Sequence, residues 1–161
     1  MVKWCEPRSI ISLSSAIVWV STGWVRFGKS SYLVIDIPTL QWSDARRNCQ
    51  KLGGDLAKIT SATENQFVYN LLVRQTKRTA WGAWLGLHRK ANTKFYWADN
   101  SPLTGYTAWS PGEPNSPSTE RCGHMFGPSD RRKGKWNDIR CALVPSQITS
   151  APVVLCQKRS N

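Results

Sequence analysis

GEPNSPSTERCGHMFGPSDRRKGKWNDIRC, residues 112–141, decides how this chain is read. It belongs to a longer segment, Asn100 to Lys135, punctuated by Pro102, Gly105, Pro111, Gly112, Pro114, Pro117, Gly123, Gly127, Pro128 and Gly134. Regular structure does not run through so many breakers, so the segment reads as one long loop. Loops of that length are uncommon in small domains and are usually functional. Glu113, Asn115 and Glu120 lie within it, and Trp136, Asn137 and Asp138 follow directly. Calcium takes about six to eight oxygen ligands from carboxylates, amide carbonyls and backbone. Glu113, Asn115, Glu120, Asn137 and Asp138 are the right chemical types. Pro114 restricts the backbone between Glu113 and Asn115, and a cis peptide bond there turns both side-chain oxygens toward one ion. Taken alone, an E-P-N is more simply read as solvated loop residues.

Upstream, Trp84–Leu87 (WLGL) is a short, wholly apolar run that suits a central buried strand, with Gly86 admitting a close neighbour. Phe95–Ala98 (FYWA) reads as another strand. Ser61 and Glu64 form an S-x-x-E capping box ahead of Phe67, Val68, Leu71 and Leu72, the apolar face of a helix. An earlier helix opens at Pro38–Thr39, buries Trp42, Ala45, Cys49 and Leu52, and stops at Gly53–Gly54. Trp24–Ile37 reads as one or two strands broken at Gly28–Ser31. The fold class is therefore α+β.

The whole chain is 161 residues, enough for one domain with a core. Apolar residues make up 40% with nine Trp, which excludes global disorder, and no apolar stretch is long enough to span a membrane. Lys and Arg number 22 against 10 Asp and Glu, a net charge of +12 that attracts polyanions without a specific site. Only His88 and His124 are present, and no G-x-S-x-G or H-E-x-x-H occurs, so nothing supports catalysis. Cys5, Cys49, Cys122, Cys141 and Cys156 form no CxxC pair, and their wide spacing suits disulfides in an oxidising compartment. The last four allow three pairings. Residues 1–23 read as a leader resembling a secretory signal peptide, with basic Lys3 and Arg8, an apolar run and small residues near Gly23. Its removal leaves four cysteines in a domain of residues 24–161 and implies a secreted, extracellular protein.

Taken in order, W-L-G-L at 84–87, E-P-N at 113–115, Glu120 two residues before Cys122, and W-N-D at 136–138 ahead of Cys141 resemble the C-type lectin domain. The resemblance spans about Trp24 to Lys158. It implies a C-type lectin-like fold with two helices, small antiparallel sheets and a long calcium-binding loop, stapled by disulfides. It pairs Cys49 with Cys156 and Cys122 with Cys141. It makes Glu113, Asn115, Glu120, Asn137 and Asp138, with the Asp138 carbonyl, the ligands of one Ca2+ and of a sugar bound to it. E-P-N goes with mannose-type ligands in this family and Q-P-D with galactose-type. The chemistry agrees: each of two vicinal sugar hydroxyls gives a lone pair to calcium, donates to a carboxylate and accepts from an Asn N–H. Equatorial 3- and 4-hydroxyls, as in mannose and N-acetylglucosamine, suit that order, and fucose has a comparable pair.

The chain departs from the family pattern at three places. Ser116 and Arg121 replace extra acids of some relatives, so no auxiliary calcium site is expected. Ser31 stands where a cysteine often sits, so a third disulfide is not expected. The Cys141–Cys156 interval is long, and an inserted stretch around Val144–Pro152 threatens the last strand. Trp42, Trp84, Trp97 and Trp136 read as core, Trp109 is left open, and His88 and His124 read as non-ligands. Arg121, Arg131, Arg132, Lys133, Lys135 and Arg140 form a cationic cluster beside the loop, either a solvated face or a supplement for acidic glycans and anionic microbial surfaces. The function expected is calcium-dependent binding of mannose-type glycans on cells or microbes, without catalysis or specific nucleic-acid binding. A homo-oligomer would supply avidity to a shallow site. The rival is a calcium-independent module of the same scaffold that binds a protein or polyanion through its basic surface.

Overall fold

The structure is a computed structural model, described over residues 23–160. The leader reading, apart from Gly23, and Cys5 lie outside the described residues. Strands β1 (Val25–Phe27) and β2 (Ser30–Ile35) form the hairpin expected from Trp24–Ile37, turning at Gly28, whose φ of 59° suits glycine. Helix α1 (Trp42–Lys51) follows, then β3 (Asp55–Leu56), helix α2 (Ala62–Gln75), β4 (Gly82–Arg89) and β5 (Phe95–Tyr96). The long loop leads to β6 (Cys122–Phe126) and β7 (Trp136–Ile139), and a 3-10 turn over Pro145–Ser150 precedes β8 (Val153–Arg159). The strand order is β1-β2-β8-β4-β6-β7, with β3 on β8 and β5 on β4. These strands make one mixed sheet rather than separate antiparallel ones, because β4 runs parallel to β8. Among the described residues no helix is long and apolar enough to cross a membrane.

The loop predicted over Asn100–Lys135 is interrupted by β6. Its glycine is not a breaker: a Cβ on Gly123 would lie 2.7 Å from Leu87 Cβ, so the position needs glycine for close packing against β4. The W-L-G-L run is buried on both faces, as predicted. Leu85 and Leu87 join the core under α2, while Trp84 faces α1 and the Cys49–Cys156 disulfide. A Cβ on Gly86 would meet Leu56 O at 2.9 Å, so β3 lies as close as that glycine permits. The second disulfide joins Cys122 to Cys141. The inserted stretch around Val144–Pro152 is taken up by the 3-10 turn, exposed throughout, and β8 remains regular and pairs with β2 over six residues.

The helix ends agree with their signals in part: α1 begins at Trp42 with Gln41 as its N-cap, not at Pro38–Thr39, and Leu52 at its end is exposed. Ser61 accepts from the Glu64 N–H at 3.1 Å, as a capping box requires. The Glu64 carboxylate reaches one residue further back than the motif implies, to the Thr60 N–H. It also accepts from the Tyr32 hydroxyl, so the buried Glu64 ties α2 to β2. Burial, and then Glu64, hold the Tyr32 hydroxyl far above the usual phenol range.

At the entrance to the long loop, Asp99 receives Lys58 Nζ at 2.9 Å and the Ser101 N–H at 2.9 Å. Burial pushes the Asp99 pKa up, but the hydrogen bonds from Ser101 and Lys58 outweigh it and hold it at about 2. A depressed folded-state pKa contributes stability above the unfolded carboxylate's pKa that is lost as pH falls through the folded value. Asp99→Asn is therefore expected to destabilise the domain at neutral pH and to match the parent at about pH 2. Urea midpoints at several pH values check this; a deficit that persists undiminished at low pH would contradict it.

Candidate functional site

Strand β7 builds the site by alternation. Trp136 and Asp138 point inward and are wholly buried, while the alternate residues Asn137 and Ile139 are half-buried. Trp136 anchors the strand: its ring meets Trp97, Tyr106 and Trp109 edge-on at 5.8–5.9 Å, and its Nε1 donates to Asn65 Oδ1 at 2.8 Å. Trp109, left open by the sequence, is part of this aromatic cluster and half-buried.

Asp138 organises the loop above it. Its carboxylate accepts from the Asn115 N–H at 3.1 Å, the Ser116 N–H at 3.1 Å and Arg89 Nη2 at 3.0 Å. The Glu113–Pro114 peptide is cis. The Glu113 carboxyl faces that of Asp138, and its Oε2 is buried without a hydrogen-bond partner among the described residues. Burial, Asp138 and the charge of Glu120 push the Glu113 pKa up. Burial and Asp138 do the same to Glu120, against Ser116, Arg140 and Arg89. Three carboxylates thus share one loop base, and Asp138 resists the ionisation of Glu113 and Glu120.

The five predicted residues are not equally drawn together. Glu113, Glu120 and Asp138 interact, and Asn115 stands beside them through its backbone, with its Oδ1 accepting from Ser116 Oγ at 2.6 Å. Asn137 turns toward β6: its Nδ2 lies 2.6 Å from the Asp138 carbonyl and 3.3 Å from His124 Nε2. Among the described residues no three His, Cys, Asp or Glu side chains stand as a ready metal cluster. The donor chemistry nevertheless fits a hard divalent cation, because an orphaned buried carboxylate oxygen and mutually repelling acids are what such an ion relieves.

The sequence missed Arg89. It sits at the end of β4 on the same face as Leu85 and Leu87, and that alternation was the available signal. Its side chain is 8% exposed. Besides Asp138, it donates to the Glu120 carbonyl at 3.1 Å and the Thr93 carbonyl at 2.6 Å, and it lies over the Phe95 ring. His124 is wholly buried, stacked on Trp81, and burial drives its pKa down to about 4, so it is neutral at physiological pH. The predicted cationic cluster divides. Arg121 donates to the Arg89 and Lys90 carbonyls, Arg132 pairs with Asp130, and Arg131, Lys133, Lys135 and Arg140 are exposed.

The Lectin C-type domain profile matches residues 38–147. The chain belongs to the C-type lectin domain family. A perlucin-like protein of Mytilus galloprovincialis is 32% identical over 120 residues, covering 74% of each chain. C-type mannose receptor 2 of Rattus norvegicus is 38% identical over 103 residues, covering 62% of this chain but only 6% of the receptor. Among solved structures, the carbohydrate-recognition domain of cow CD23, crystallised in the presence of GlcNAc2Man3 oligosaccharide, superposes with a TM-score of 0.66 and 31% identity over 88% of this chain and 97% of that one. Domains of this family are, as a rule, binding modules rather than enzymes.

Proposed function

We propose that this C-type lectin domain is a secreted protein that binds mannose-type glycans through one Ca2+ held by Glu113, Asn115, Glu120, Asn137 and Asp138. The observation that carries the reading is Glu113 Oε2, buried beside Asp138 at the base of the E-P-N turn with no hydrogen-bond partner among the described residues. The ion would supply oxygen-coordinating positions for vicinal hydroxyls of mannose, N-acetylglucosamine or fucose. The chain's own part is order and polarity. Asp138 fixes Asn115 through its backbone, Glu113 offers an acceptor, and Asn115 offers its Nδ2 donor, while its Oδ1, which accepts from Ser116 Oγ, would turn to the ion. Asn137 would rotate away from the Asp138 carbonyl to join the set. One shallow site binds weakly, so display in several copies, as a homo-oligomer, would raise avidity on cells or microbes.

The test is retention on mannan resin with calcium and release by a chelator. Glu113→Gln with Asn115→Asp reverses acceptor and donor, and galactose retention is expected to rise while mannose retention falls by about tenfold or more. Unchanged mannose retention would remove these residues from the site.

A second reading has one observation in its favour: Arg89 already neutralises Asp138. On that reading the domain binds a protein or polyanion without calcium through its exposed basic residues. Mannan retention that is absent with calcium as well as with chelator, beside polyanion binding that collapses in high salt, would select it.

A further inference from the structure

At the edge of the sheet remote from the E-P-N turn, β1, β2 and β8 form the floor of a concavity of about 620 Å³. The strand register lines up Arg26, Ser31 and Lys158 across it, since Arg26 pairs with Ser31 and Ser31 with Lys158. Residues in register lie about 5 Å apart from strand to strand, so the two outer positions are separated by roughly 10 Å. Leu52 and Gly53, at the end of α1, close one side, and Arg159 and Ser160 complete the rim.

Everything ionic in this concavity is positive. Arg26, Lys158 and Arg159 line it, no acidic residue does, and none of the three is in an ion pair among the described residues. Two of the cations are held in place. Lys158 Nζ rests 4.4 Å from the centre of the Trp24 ring, and Arg26 Nε donates to the Gly28 carbonyl at 3.3 Å. Between them, the Ser31 and Ser160 hydroxyls lie 2.8 Å apart and offer hydrogen bonding at the floor. Like charges gathered without counter-charge oppose folding, and a bound anion relieves them.

We propose that this concavity is a second, calcium-independent site, for a sulfated polysaccharide. A concavity with cations set about 10 Å apart across its strands suits a chain that carries repeated anionic groups, whereas a flat bilayer would not reach the serine floor. The span between Arg26 and Lys158 is comparable with two sugar units, so successive sulfate esters can meet successive cations. Arg offers a planar fork to sulfate oxygens and Lys a point charge. The site stands at the opposite end of the sheet order from β6 and β7, so both sites can be filled at once.

The experiment uses the full chain in chelator at about 0.15 M salt, with a fluorescent heparin-derived hexasaccharide and its desulfated counterpart as probes. The parent is expected to bind the sulfated probe and not the other. Arg26→Ala with Lys158→Ala is expected to weaken binding by about tenfold or more, and Lys133→Ala with Lys135→Ala, the same loss of charge on the other face, by less than about twofold. Arg26→Gln alone, at an exposed side chain, guards against misfolding of the double variant and is expected to weaken binding by about threefold or more. Equal losses from the two faces, no binding by the parent, or tighter capture by phosphatidylserine vesicles with the same sensitivity to Arg26 and Lys158 would each overturn the proposal. None of these readouts involves calcium, so they stand apart from the mannan test.

Discussion

Arg89→Ala is expected to destabilise the calcium-free domain by about 3–5 kcal/mol, the cost of leaving one partner of a buried ion pair behind. Asp138 has no exposed surface and Arg89 very little, so water does not replace the guanidinium. The pair itself need not contribute much net stability, because both ions were desolvated to form it. What the variant exposes is the asymmetry: the Asp138 carboxylate would retain only two backbone N–H partners, with Glu113 and Glu120 nearby. The same substitution releases the Glu120 and Thr93 carbonyls that Arg89 ties together. Asp138→Asn in the Arg89→Ala background removes the stranded charge and is expected to recover part of the loss, giving a positive coupling in a double-mutant cycle. Calcium at millimolar levels is also expected to recover part of it, if the ion takes over the neutralisation. Urea unfolding in chelator and in calcium measures both. A single-variant loss below about 0.5 kcal/mol would mean that Asp138 is not dependent on Arg89.

What the sequence disclosed and what it withheld divide along contact range. The N-cap at Ser61, the glycine stop after α1 and the apolar run at Trp84–Leu87 are local patterns, and each appears where it was read. The disulfide pairs came only with the family resemblance, because four cysteines admit three pairings and nothing local chooses between them. Strand β6 was hidden because Gly123, read as a turn residue, is required by the Leu87 side chain on a strand distant in sequence. The single mixed sheet was hidden for the same reason, since the parallel contact of β4 with β8 has no local signature. At the site, the E-P-N turn and W-N-D strand were legible as oxygen-bearing residues in a breaker-rich segment. Arg89 was passed over despite its alternation with Leu85 and Leu87, because a cation at a strand end reads as solvent-facing until Asp138 and the loop carbonyls are seen around it. The concavity at β1, β2 and β8 could not be read from composition either: its cations come from opposite ends of the domain and meet only through register.

The two disulfides are expected to separate global stability from loop order. Cys49 and Cys156 are 107 residues apart and Cys122 and Cys141 are 19 apart. If the bond acts mainly by restricting the unfolded chain, closing the longer loop is worth about 5 kcal/mol and the shorter about 3 kcal/mol. Cys49→Ala with Cys156→Ala should therefore lower the urea midpoint further, helped by the cavity left at two wholly buried positions between α1 and β8. Its survivors, assayed below the midpoint, are expected to keep their mannan retention, because that bond is remote from the E-P-N turn. Cys122→Ala with Cys141→Ala should unfold less readily yet lose more retention. Cys122 starts β6, which carries Gly123 opposite Asp138, and Cys141 follows β7 by two residues. Freeing both ends lets the strand bearing Asn137 and Asp138 shift against the loop, and small displacements of ligands cost affinity steeply. If both double variants lose stability and retention in the same proportion, the short bond is only another staple, and the loop is held by Asp138 and Arg89 alone.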